Sequence, residues 1–264
     1  SGAVMQSVLK NPLASPFTLG ISHAAAFGAA LAIMAAGSVQ ALPLGGNLPL
    51  VTILSAFFFA GLTALLIILI AGSGRDNAQA LVLTGVALGS LFTAGTMLLQ
   101  YFADDVQLAA MVFWTFGDLA RADWADLKIL GPACGLLFVF FHRQARGLNT
   151  MGLGDENATG LGINVKRLRL SGMAGACLLT ALIISFVGII GFVGLVAPHI
   201  ARRILGDDHC FLLPASLLTG GLILLASDLA ARVIMAPHVL PVSILTSFLG
   251  APVFIYLLVK GKGL

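Results

Sequence analysis

Charge is what this sequence has least of. Asp, Glu, Lys and Arg together make up 9% of its 264 residues, against roughly 25% in an ordinary soluble domain. Glu156 is the one glutamate. So few charges cannot coat a compact particle of this size with a water-compatible surface, which excludes a soluble enzyme, a nucleic-acid binder and a disordered scaffold. Cysteine is scarcer still. Cys134, Cys177 and Cys210 are scattered with no CxxC spacing, and the first two fall in apolar runs, so they read as small packing residues rather than metal or redox groups. There is no Gly-x4-Gly-Lys-Ser/Thr loop, which excludes nucleotide binding in the P-loop manner. The spans carry no convincing carboxylate near mid-bilayer, which a proton- or sodium-coupled carrier needs. Neither a repeated filter sequence nor rings of one charge sign mark an ion channel. His199, and His209 beside Cys210, have poor spacing and context for a metal and read as helix-end histidines.

What is abundant is apolar: 59% of the chain. From Asn11 to Gly74, a run of 64 residues, there is not one charged side chain. A transmembrane helix needs about 20 mostly apolar residues. The turn-rich stretch QALPLGGNLP, Gln40 to Pro49, divides that run into spans at about 14–38 and 49–71. Further spans follow at 77–103, 124–143 and 167–188, a shorter piece at 190–205, and two more at 211–235 and 239–260. The runs are too long for barrel strands of about 9–11 residues. The expectation is therefore an all-α polytopic membrane protein of eight spans, with residues 1–10 as the tail of another. The chain opens on Ser1 with no basic-then-apolar signal segment, and so reads as the remainder of something longer.

Eight alternating spans allow two orientations, and the loop charges choose between them. One set of loops holds Lys10, Arg75, Arg143, Arg146, Lys166, Arg167, Arg169, Arg202, Arg203, Lys260 and Lys262; the other holds Arg121, Lys128 and Arg232. The richer set belongs in the cytoplasm, which puts the C-terminus there too. Inside the spans the clear charged exception is Asp228, with Arg232 one helical turn later. It is either a self-neutralised structural pair or an outer-face docking charge. Small residues four apart, Gly85 with Gly89 and Thr93, Gly131 with Gly135, and Ala60 with Ala64, allow close helix packing in lipid; the first set also leaves room for a wide pathway. The longest cytoplasmic segment, RGLNTMGLGDENATGLGINVKRLR from Arg146 to Arg169, is too long for a tight turn. Asp155, Glu156 and Asn157 favour a helix start, and Gly160 or Gly162 can end it. A one- to two-turn helix, Asp155 to Leu161, is expected to lie flat at the inner face, either as a solvated connector or as a docking element.

Several long stretches resemble one family closely. The run SFVGIIGFVGLVAPHIARRILGDDHCFLLPASLLTGGLILLASDLAARVI, Ser185 to Ile234, resembles the signature region of permease subunits of type II ABC importers, the FecCD family. These import iron-siderophore, haem and cobalamin. GDENATGLGINVKRLRL, Gly154 to Leu170, is similar to the family's cytoplasmic loop, LPVSILTSFLGAPVFIYLL, Leu240 to Leu258, to its last span, and SGAVMQSVLKNPLASPFTLGIS, Ser1 to Ser22, to the end of its second span and the turn after it. Family members have ten spans, so the resemblance implies a single permease domain, 1–264, that begins partway through the second.

The resemblance also assigns expected roles. Gly154, Asp155, Glu156, Ala158, Leu161 and Gly162, within a coupling segment of about 147–166, match the loop that sits in a groove of the ATPase subunit. Arg232 matches a basic position that pairs with the extracytoplasmic binding protein. Asn77, Ala78 and Gln79 match a cytoplasmic gate, and the helix carrying Gly85, Gly89 and Thr93 matches a span lining the pathway. Phe113 to Asp123 (FWTFGDLARAD) resembles the family's short outer helix. The implied partners are a second permease copy or paralogue, two ABC ATPase subunits and a binding protein, with no cofactor and no resident metal. The implied cargo is a metal chelate, ferric siderophore before haem or cobalamin, crossing the inner or plasma membrane without chemistry in this chain. The rival class is an ATP-independent secondary transporter or channel.

Overall fold

The computed structural model describes residues 1–35, 47–72 and 78–260, and among them all regular structure is helical. Short α1 (Gly2–Val8) leads through a 3-10 turn (Phe17–Leu19) into α2 (Ile21–Met34), followed by α3 (Leu48–Gly72) and α4 (Ala78–Phe102). Then come α5 (Asp105–Thr115), a second 3-10 turn (Leu119–Arg121), α6 (Trp124–Gly152) and the six-residue α7 (Asp155–Gly160). The chain closes with α8 (Val165–Val187), α9 (Val193–Leu205), α10 (His209–Val233) and α11 (Val242–Lys260). Among the described residues five helices are long and apolar enough to cross a membrane by length and composition: α3, α4 from Gln79, α6, α8 and α10; α2 and α11, over Val242–Ile255, are shorter apolar helices.

Inside a bilayer a polar side chain must find its partner within the protein. Here the hydroxyls of Thr52, Thr63, Thr84, Thr93 and Thr96 each donate to the carbonyl one turn earlier in their own helix, at 2.8–2.9 Å. That explains how the spans tolerate threonine at little cost. Several of the described acidic residues serve elsewhere, at helix starts. Asp104 and Asp123 each close a capping box on α5 and α6, Asp208 caps α10, and Asp118 caps the second 3-10 turn. Such caps contribute about 1 kcal/mol each and satisfy amides the helix leaves orphaned.

The core gathers around α2, which packs on α3, α4, α5 and α8. Ala56, Ala60, Ala64, Ile67 and Ala71 form the buried stripe of α3. Gly28 of α2 lies so close to α3 that an added Cβ would stand 2.5 Å from the Ser55 carbonyl oxygen, and the Ser55 hydroxyl donates to Gly28 O at 2.6 Å. Ala60 and Ala64 thus serve close packing, as their spacing predicted. Gly131 and Gly135 do not: a Cβ at either would meet nothing within 4 Å.

Four boundaries differ from expectation. The span expected over about 14–38 opens only at Ile21, after the first 3-10 turn, as a helix of 14 residues. The span begun at Trp124 does not stop near 143 but runs to Gly152, 29 residues in all and about 44 Å at 1.5 Å per residue; it therefore outruns a hydrocarbon core of about 30 Å. Much of the expected loop after Arg146 is helix. The short piece at 190–205 is a helix of 13 residues, about 20 Å long, joined to α8 by the non-helical link 188–192. Lastly, the short helix expected over 113–123 lies earlier, at Asp105–Thr115, because Asp104 and Gln107 supply the start signal there; residues 116–123 carry only the 3-10 turn.

Candidate functional site

The two sets of basic residues separate along α8. At its start Arg169 meets Val8 and Asp155; at its end Val187 accepts from the Asp118 amide, beside Arg121. Eighteen residues of helix, about 27 Å, lie between Arg169 and Val187.

At the first end α7 is built by two glycines. Gly154 stands before it at φ +109 and Gly162 just after it at φ +83, a region that favours residues without a Cβ. The Ile163 amide donates to Ala158 O and the Gly162 amide to Thr159 O, at 3.0 and 2.9 Å, the double bond of a Schellman stop. The helix ends at Gly160 and Leu161 caps it, as expected. Of the residues assigned to coupling, Ala158 is fully buried and seats the helix, whereas Glu156, Leu161 and Gly162 are exposed. Leu153 and Leu161, flanking the helix, are 66% and 68% exposed; Leu153 was not singled out from the sequence. Asp155 faces inward: its carboxylate meets Lys10 Nζ at 2.9 Å and Arg169 Nη2 at 2.8 Å. The Lys10 ammonium, then Arg169, hold its carboxyl below the usual aspartate value against the opposing effect of partial burial.

Around this helix lies a polar cluster that sequence reasoning missed. Arg169 Nε donates to Val8 O at 3.0 Å. Gln6 Oε1 accepts from Arg202, which also pairs with Asp207 at 3.1 Å. The Ser7 hydroxyl meets His209 Nε2. Asn149 accepts from the His209 amide at 2.8 Å and donates to Asp208 at 2.7 Å. The readable signal was Gln6 and Ser7 near the end of an otherwise apolar helix, with Lys10 just beyond it. Among the described residues no group of three His, Cys, Asp or Glu side chains is placed to hold a metal ion.

Of the gate residues, Asn77 lies outside the described residues, while Ala78 and Gln79 open α4. Gly85 and Gly89 are buried against the turn before α2. A Cβ on Gly85 would stand 2.6 Å from Leu19 Cα, and one on Gly89 3.3 Å from His23 Nδ1. They are close-contact residues, so α4 can line a path only with another face, where Leu83, Val86, Ala87, Ser90 and Leu91 are exposed. Thr93 is half-buried and bonded to Gly89 O.

At the other end Asp228 and Arg232 form the two-point pair their spacing predicted, at 2.8 and 3.3 Å, with the Arg232 side chain 49% exposed. Arg121 donates to Trp114 O at 3.1 Å and to Phe113 O. Two cavities open beside the 188–192 link. One, about 630 Å³, is lined by Phe17, Phe116, Phe192, Phe248, Ser243 and Ser247 among others. The second, about 480 Å³, lies between α6, α8, α9 and α10.

Comparison with known proteins gives a single direction. The model of the FecCD transport family matches residues 1–260. An ABC transporter permease protein of Methanocaldococcus jannaschii is 51% identical over 98% of this chain and 75% of its own length. The hemin transport system permease protein HmuU of Yersinia pestis is 38% identical, over 99% and 77%. A solved ABC transporter described as of metal-chelate type, in an inward-facing conformation, superposes with a TM-score of 0.83 at 33% identity, covering 98% of this chain and 81% of its own.

Proposed function

The chain belongs to the FecCD transport family, and from that premise we propose that it is the permease subunit of an ATP-driven importer of a metal chelate. It is a multi-pass membrane protein whose relatives are transport permeases rather than enzymes. Names among those relatives cover hemin, iron(III) dicitrate and vitamin B12; a ferric siderophore is our first choice of cargo, with haem and cobalamin next. The eight-span count, with α1 as part of a further span, and a cytoplasmic C-terminus complete the reading.

The observation that carries it is α7. A six-residue helix outside the long spans buries Ala158, ties Asp155 inward and leaves Glu156, Leu161 and Leu153 outward. That is the form of a peg for a partner's groove: an apolar pair around one negative charge, on a base fixed by two glycines. With no P-loop in the chain, the partner it fits is the ATPase, in two copies for a permease dimer or paralogous pair. Asn77 to Gln79 would gate the inner mouth. Gly85, Gly89 and Thr93 would hold α4 as a wall of the path, and Arg232 would meet an acidic residue of the binding protein. A path poor in charge suits a bulky chelate that must not be held tightly, since strong fixed contacts slow release.

The test is reconstitution into proteoliposomes. Uptake of a ferric hydroxamate, haem or cobalamin is expected only with ATPase, binding protein and ATP together. Flux of any of them through the permease alone would overturn the reading in favour of a channel or secondary carrier.

A further inference from the structure

The contacts at the end of α1 point beyond a docking peg. α1 is held on every side. A Cβ on Gly2 would stand 1.8 Å from Gly194 O of α9, and one on Gly172 of α8 would meet Val4 and Val8 at 3.1–3.2 Å. Ala3, Val4, Met5 and Val8 are at most 3% exposed. A helix packed this closely moves as a body with what it is tied to. Its polar ties go two ways. Lys10 and the Val8 carbonyl reach α7 and α8, through Asp155 and Arg169. Gln6 and Ser7 reach α9 and the start of α10, through Arg202 and His209.

Lys10 itself occupies a position where a glycine would be expected. α1 stops with a Schellman pattern, the Asn11 amide donating to Gln6 O and the Lys10 amide to Ser7 O, at 3.0 and 3.2 Å, and the residue at the left-handed position is Lys10, φ +48. Glycine fills that position at no steric cost, while a side chain there is strained. A lysine in that place needs another reason, and the Asp155 carboxylate 2.9 Å from its ammonium supplies one.

We propose that the end of α1 is a relay that carries displacement of α7 to the α9–α10 junction, with Lys10 its positioning residue on one side and Gln6 on the other. The inference rests on the importer reading. α7, pressed by a partner, pulls Lys10 through Asp155; α1 shifts with it; Arg202 and His209 follow and move the ends of the two helices beside the 480 Å³ cavity.

The experiment uses the complete importer with a ferric hydroxamate and haem as probes, and the variants Lys10→Gly, Lys10→Arg and Gln6→Met. Lys10→Gly relaxes the left-handed residue, so a merely structural lysine predicts an unchanged or raised thermal midpoint and normal transport. The relay predicts an unlowered midpoint, ATP hydrolysis within about twofold of wild type, and at least a fivefold drop in chelate imported per ATP hydrolysed. Lys10→Arg should restore that ratio, and Gln6→Met should lower it as Lys10→Gly does. An unchanged ratio in Lys10→Gly, or uptake and hydrolysis falling in parallel, would overturn the relay. Wild type showing no ATP-dependent uptake of any chelate would instead sink the importer reading. The relay would then be judged on the permease alone, by hydrogen exchange at 206–210: several-fold faster exchange in Lys10→Gly supports it, and unchanged exchange overturns it.

Discussion

The two ends of α8 are built from different materials. At its start the contacts are side-chain ties, ionic or amide, drawn from α1, α6, α7, α9 and α10. At its end, apart from the Arg121 guanidinium bonded to two carbonyls, they are backbone against backbone: a Cβ on Gly117 would lie 2.3 Å from Ile189 O, and one on Gly188, at φ +77, 2.8 Å from Trp114 O. Charged ties break and re-form at small cost and over a range of geometries, each contributing about 1 kcal/mol or less where exposed. Interlocked backbones have one arrangement. The first kind suits an end that takes up motion, the second an end that must hold its shape.

That contrast breaks most visibly at the rigid end. Gly117→Ala places a methyl carbon 2.3 Å from the Ile189 carbonyl oxygen and 2.5 Å from Ile190 Cγ1, and the carbonyl cannot turn aside as a side chain can. Overpacking of this kind costs about 1–3 kcal/mol. The expected result is a clear drop in the thermal midpoint of the detergent-solubilised protein. A variant as stable as wild type would mean the link 188–192 is pliant and the contrast false.

At the adjustable end the next largest effect is functional and leaves the fold intact. Glu156 is exposed but lies in the first turn of α7, so Glu156→Arg should cost stability no more than about 1 kcal/mol. If α7 docks as proposed, reversing this charge should lower chelate uptake at least tenfold while the solubilised bundle keeps its elution position on size-exclusion chromatography. Normal uptake would remove Glu156 from the coupling surface.

Much of this was legible in the sequence because lipid enforces simple rules. The 64-residue uncharged run announced apolar helices, of which α3 is long enough to cross and α2 is shorter, and Asp155 with Gly162 announced α7. Boundaries were harder where a helix leaves the bilayer. Beyond Arg143 the pattern turns polar, yet helical hydrogen bonds do not need lipid, and α6 runs on to Gly152. Glycine was the most ambiguous letter. Gly85 and Gly89 have the spacing of both a packed ridge and an open wall, and only the approach of Leu19 and His23 separates the two. The cluster at α1 was hidden for another reason. Ser7 and His209 are 202 residues apart, and no local pattern brings them together. Asp155 looked like part of the docking face for the same reason, since its partner Lys10 counted only as one more basic loop residue.

The smallest expected effect separates the two ends by acidity. Hydrogen bonding to Lys10, joined by Arg169, lowers the Asp155 carboxyl below its ordinary value of 3.8. A group whose folded value lies below its unfolded one stabilises fully above the unfolded value and loses that contribution as pH falls through the folded one. The tie between α7 and α1 is therefore intact at neutral pH and fails only in the window below about 4. Because the Asp155 side chain is 42% exposed, solvent screening keeps the effect small, under about 1 kcal/mol. Hydrogen exchange over 155–161, normalised for its intrinsic pH dependence, should lose protection between pH 5 and 3, on the order of a few-fold. The Asp118 amide, bonded to Val187 O at 2.9 Å, should keep its protection through the same range, since that tie is made of backbone beside an Arg121 guanidinium that stays protonated throughout. Equal loss at both places would mean that acid loosens the whole bundle and that Asp155 is no special tie; protection kept at α7 would mean that Ala158 alone seats it.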